Sequence, residues 1–231
     1  DPYNCLVGGD GGAAAPFCEL DEATTCRGSY LVLAAKPGLT YKKPLLAEGK
    51  SFYVTTLGEG QATTPPSISA VSVRGSGSAL VLFGVLLDHG RVPGNVATCR
   101  DGGHLWLRQS QVRGGDIGVS AELDCAELDL NRVLVNGNDL DGVAIVTGST
   151  RYRILNSIIA ENGKNMNSTA GGVSIGPGAT GVFAFNTVVN NGVSGTGVAG
   201  GVICLGPGQL SDSIIDGNSF SSGQQSQVDS K

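Results

Sequence analysis

The stretch YRILNSIIAEN (152–162) returns thirty residues later as VFAFNTVVNNG (182–192), with N-S-I-I answered by N-T-V-V. A recurring period is the strongest constraint a sequence places on its own fold. Aligned on this phrase, six segments stack: LVLFGVLLDHG (80–90), LWLRQSQVRGG (105–115), LDLNRVLVNGN (128–138), the two already quoted, and QLSDSIIDGN (209–218). One column reads Val85, Ser110, Val133, Ser157, Thr187 and Ser213, with steps of 25, 23, 24, 30 and 26 residues. Two more columns are apolar throughout: Leu87, Val112, Val135, Ile159, Val189, Ile215, and Leu82, Leu107, Leu130, Ile154, Ala184, Leu210.

A second phrase lies between the first ones. It reads DGVAIVTG (141–148), GGVSIGPG (171–178) and GGVICLGPG (200–208), each a β-branched run bracketed by Gly or Pro and hence a short strand. Each repeat then holds at least two strands and no helix, and cannot bury its own apolar face. Pairing every strand with its equivalent one repeat on solves this, and the result is a parallel β-helix of about seven or eight coils. The Gly count, 37, has no G-X-Y period and fits a chain of many tight turns. Asn156 and Asn186, with Asp212, share one column, and Asn138, Asn162 and Asn218 another. Both are read as turn-forming ladders, since Asn tolerates a left-handed backbone and its amide can bond the next coil.

Net charge is −5, so nucleic acid is not an expected partner. No apolar run approaches the roughly 18 residues of a membrane helix. The chain opens at Asp1, which is read as a mature or trimmed chain. The six cysteines include no C-x-x-C, and three fall in the first 26 residues, which suggests disulfides and an oxidising compartment. One bridge is expected among Cys5, Cys18 and Cys26, and one between Cys99 and Cys125; Cys204 is either buried and free or joined to the odd N-terminal cysteine. PFCELDEATTC (16–26) reads as a short helix that caps the open end of the coil. The β-helix is expected over 1–218, with 1–29 as its cap region, and 219–231 as a polar, loosely ordered tail.

DGGAAAPFCELDEA, then YLVLAAKPGLTY, then VTTLGEG resembles the opening of secreted bacterial right-handed parallel β-helix proteins of the pectin-lyase-like superfamily, and the N-S-I-I and G-G-V phrases are similar to that family's coils. The resemblance covers nearly the whole chain. It implies an all-β, single-stranded, right-handed solenoid at the cell surface or outside it. It says little of activity, because the fold hosts many functions.

Lyases of this kind need a calcium site built from carboxylates beside a basic residue, and hydrolases need paired carboxylates. Residues 136–142, NGNDLDG, offer Asp139 and Asp141, with Asp116 and Glu122 nearby and Arg113 one coil earlier. These are the catalytic candidates (Asp139, Asp141, Arg113) and the Ca2+ candidates (Asp116, Asp139, Asp141). The competing reading is that an Asn/Asp/Gly turn is what any coil corner needs. Asp88, His89, Arg91, Asp101 and His104 are expected in one long insertion between coils, with Trp106 and Arg108 beside them as a binding loop. By strand alternation, Leu86, Gln111, Leu134, Ile158, Val188 and Ile214 form an outward apolar stripe, joined by Phe83, Leu155, Phe183 and Phe185.

The leading expectation is a non-catalytic binding or adhesion module for a polysaccharide or protein partner, with a homo-oligomer through the stripe as a further option. The alternatives are a lyase or hydrolase acting on an acidic polysaccharide, and a structural coil segment of a larger surface protein.

Overall fold

The structure is a computed structural model and describes residues 19–26, 29–56, 64–146, 148–163, 168, 170–193, 198–220 and 228–230. Three strands recur in order, and each pairs in parallel with its equivalent one coil away. The first sheet runs Tyr30–Ala35, Ser51–Thr56, Ala79–Phe83, His104–Arg108, Glu127–Asn131, Arg151–Leu155, Thr180–Ala184 and Gly208–Ser211. The second runs from Thr40–Tyr41 through Leu86–Asp88 and Ile158–Ala160 to Ile214–Asp216, and the third from Leu45–Glu48 through Ala97–Arg100 to Val228–Ser230. Each sheet is eight strands deep. The chain is therefore the parallel β-solenoid that its period predicts, and coils are numbered 1 to 8 below by their first-sheet strand.

Alternation sends one set of side chains into the axis. Leu80, Leu105 and Leu128 stack in one inward column, Leu82, Leu107, Leu130 and Ile154 in the next, and Leu87, Val112, Val135 and Ile159 in the second sheet, all fully buried. Each such leucine contributes about 2 kcal/mol by leaving water. Tyr152 continues the Leu128 column, and its neighbours one and two coils on are Gly181 and Gly208. A Cβ at Gly181 would run into the Tyr152 carbonyl and ring, and one at Gly208 into its hydroxyl, so the ring occupies the space that two side chains would otherwise take. Burial pushes the Tyr152 phenol up to about 12, with Cys204 adding to the effect.

The turn from first to second sheet is two residues long. Its first residue is left-handed in every coil from 3 to 8: Gly84, Gln109, Arg132, Asn156, Phe185 and Asp212, with φ from 47 to 69°. Its second residue points inward. There the oxygens of Ser110, Ser157, Asn186 and Ser213 each accept the backbone N–H of the corresponding residue one coil earlier, at 2.9–3.3 Å. A second ladder follows the second sheet. Asn138, Asn162, Asn191 and Asn218 are buried, and each Oδ1 from Asn162 onward accepts both the backbone N–H and the Nδ2 of the asparagine before it.

This register corrects the alignment of coil 7 by one residue. Ile154 pairs with Phe183, not Ala184, Ser157 faces Asn186, not Thr187, and Ile159 pairs with Val188, not Val189. A one-residue slip exchanges the two faces of a strand. Phe183 and Val188, expected in the outward stripe, are therefore core residues, 1% and 0% exposed.

The disulfide Cys99–Cys125 is present and ties coil 3 to the turn entering coil 5, while Cys26 and Cys204 are free thiols and Cys204 is partly exposed. The expected pairings of Cys5 and Cys18 lie outside the described residues. The capping helix expected over 16–26 is not shown among the described residues. A lone 3-10 turn, Leu20–Thr25, puts Leu20 and Ala23 into the core instead, and Lys50 Nζ donates to the carbonyls of Thr24 and Cys26 at its end. Pairing also runs past Asn218, since Ser219–Phe220 joins Gly192–Val193 and Val228–Ser230 joins the third sheet.

Candidate binding face on the first sheet

The outward residues of the first sheet fall into three columns. Coils 4 to 6 supply His104, Glu127 and Arg151 to one, Trp106, Asp129 and Arg153 to the next, and Arg108, Asn131 and Leu155 to the third. His104, Trp106 and Arg108 alternate along a single strand, so the residues expected in a loop stand together on a rigid sheet.

Asp129 sits at the centre. Its carboxylate is 1% exposed, and its Oδ2 accepts from Arg108 Nη2 at 3.0 Å, from Arg153 Nε at 2.8 Å and from Arg153 Nη2. Its Oδ1 is buried with no hydrogen-bond partner. Around it His104 Nδ1 lies 3.4 Å from Glu127 Oε2, and the His104 and Trp106 rings are tilted by 47° with centroids 5.8 Å apart. Three arginines thus face two carboxylates, a local positive excess on a chain whose net charge is −5. A buried carboxylate is costly unless ion-paired. Here it holds two guanidiniums in a fixed orientation, each partly exposed and with donors to spare.

The other expected site residues are dispersed. His89 lies in the loop between second and third sheets, with Nδ1 3.1 Å from the Ser69 carbonyl, and Asp101 lies in the turn between third and first sheets, 3.6 Å from Arg100. The strand Ala97–Arg100 separates them, so 88–104 is not one insertion and does not gather Asp88, His89, Arg91, Asp101 and His104. Arg113 pairs with Asp88 at 2.7 Å on the second sheet. Asp141 is buried, and its Oδ1 accepts from Ser168 Oγ, Ala170 N and Gly171 N. Asp116 accepts from Gly94 N at 2.7 Å, Glu122 from Asn95 and Ser120, and Asp139 is exposed on the turn. Asp116, Glu122 and Asp141 are thus engaged in hydrogen bonds that join neighbouring coils, and Arg113 is paired with Asp88 on the second sheet. No group of three or more His, Cys, Asp or Glu forms a metal-sized cluster among the described residues.

The outward stripe on the second sheet survives in altered form. It reads Leu86, Gln111, Leu134, Ile158, Thr187 and Ile214, with Phe185 beside it on the turn. Glu127, Asp129, Arg151 and Arg153 were missed. Reading the column of Trp106 down the alignment would have found the central two, since LWLRQ, LDLNR and YRILN place Trp106, Asp129 and Arg153 at one position. No family model, curated protein or solved structure matches the chain.

Proposed function

We propose that the protein is a non-catalytic, extracellular binding module whose first-sheet face holds an acidic polysaccharide. The observation that carries this reading is the Arg108–Asp129–Arg153 cluster, with Trp106 in the column of Asp129 and Arg153. An indole offers a flat apolar surface to a sugar ring, and paired guanidiniums suit carboxylate or sulfate groups along the polymer. Coils at about 4.8 Å intervals give a surface on which a linear chain can lie. The disulfide Cys99–Cys125 supports an oxidising location. A right-handed coil, in keeping with the superfamily resemblance, also follows the general preference of parallel crossovers.

One observation favours the enzyme reading as the alternative. Glu127 and Asp129 are two residues apart on one strand and share a face, with His104 next to Glu127. Incubation of the protein with acidic and neutral polysaccharides, with and without calcium, separates the readings. Retention of intact acidic polymer, lost in Trp106→Ala, is the expected result. Unsaturated or shortened products by mass spectrometry would replace the binding module with the enzyme, and no retention of any polymer would overturn both.

A further inference from the structure

The corner between first and second sheets is self-complementary under reversal. In coils 5, 6, 7 and 8 the left-handed turn position holds Arg132, Asn156, Phe185 and Asp212 in order, all exposed. The first outward position of the second sheet holds Leu134, Ile158, Thr187 and Ile214. Three of these eight residues are large apolar side chains held out in water: Phe185 at 60%, Ile158 at 46% and Ile214 at 61% exposure. Phe185 also takes φ 58°, a backbone region unfavourable to a bulky residue, and gains no burial for it. Neither Arg132 nor Asp212 forms an ion pair among the described residues.

We infer that this corner binds a second copy of the same chain, the two coil stacks running antiparallel. A two-fold axis lying along the strand direction between coils 6 and 7 keeps each column against itself and reverses its order. Coil 5 then meets coil 8 of the other copy, and coil 6 meets coil 7. Arg132 faces Asp212 twice, at both ends of the contact, and Leu134 faces Ile214 twice. Ile158 meets Thr187 in the middle, where Phe185 covers Asn156. A parallel or shifted arrangement loses this match, since it sets Arg132 against itself or leaves both charges without a counterpart. Four coils by six or seven residues give a face of roughly 20 by 20 Å, about 400 Å² a side, about half that of a standard stable interface, so the dimer is weak and concentration-dependent.

The test is sedimentation of the full chain over a range from low to high micromolar, free of glycan, so that its outcome is independent of the first-sheet reading. The wild type is expected to pass from monomer to dimer. Arg132→Asp and Asp212→Arg are each expected to weaken association at least about tenfold by setting like charges together. The combined Arg132→Asp/Asp212→Arg chain restores it. Phe185→Gly, which keeps a residue suited to the turn as Gly84 does in coil 3, is expected to abolish the dimer while leaving the melting curve in place. A wild type that stays monomeric throughout, a double reversal no better than the single ones, or full dimerisation of Phe185→Gly would each overturn the inference.

Discussion

Coils 6 and 7 carry the same phrase and use it differently. Asn156 takes the left-handed turn position, is exposed, and its side-chain Nδ2 donates to Asn131 Oδ1 at 3.3 Å. Asn186 sits one place further along, buried, its Oδ1 accepting from Ser157 N and its Nδ2 donating to the Ile154 carbonyl. Phe185 occupies the turn position in its stead. The letters repeat with the sequence, but the roles repeat with the backbone, and the two are out of step by one residue. An asparagine in such a protein therefore cannot be read as surface or core from the phrase around it.

Substitutions sharpen that contrast. The largest effect is expected at Asn191, whose side chain serves both neighbours in the buried ladder. Asn191→Ala removes the acceptor of the Asn162 backbone N–H and of one Asn162 Nδ2 hydrogen, together with the donor to the Ile159 carbonyl and to Asn218 Oδ1, and should cost about 4 kcal/mol in denaturant unfolding. Asn186→Ala strands fewer groups and should cost about 2 kcal/mol. Asn156→Gly, despite the matching phrase, should move stability by less than about 0.5 kcal/mol, since glycine accepts the same φ. Equal losses at 156 and 186 would show that the two coils are in the phrase's register after all.

The interior offers a smaller check. The folded state raises the Tyr152 phenol above its unfolded value near 10, so it binds the proton more tightly than the unfolded chain does. The stability this contributes is complete below pH 10 and is lost as pH rises towards about 12. Melting temperatures across that window should fall for the wild type and fall less for Tyr152→Phe.

The solenoid was legible because burial imposes a period. Leucines at 82, 107 and 130 answer to one interior, and Cys99 and Cys125 lie one coil apart in the same way. Coil 7 is not legible in the same way, because no periodic pressure acts on an exposed turn. Phe185 is not a residue expected at φ 58°, so the similar letters N-S-I-I and N-T-V-V fixed the alignment instead. The charged face divided along the same line. Trp106 and Arg108 stand out in the sequence as unusual residues in an outward column, whereas Asp129 has no local mark to set against the Asp-rich turn at 139–141. What marks Asp129 is its two guanidinium partners, and these come from strands 21 and 24 residues away.

The central claim is that the first-sheet face binds an acidic glycan, and Trp106, the single tryptophan of the chain, reports from within it. Its fluorescence should be followed during titration with dextran sulfate and with unsulfated dextran. The account predicts a saturable change with the sulfated polymer that weakens as salt is raised and is reduced in Arg153→Gln, and no change with the neutral one. Binding of the acidic polymer that leaves the Trp106 emission untouched would place the site elsewhere and contradict it.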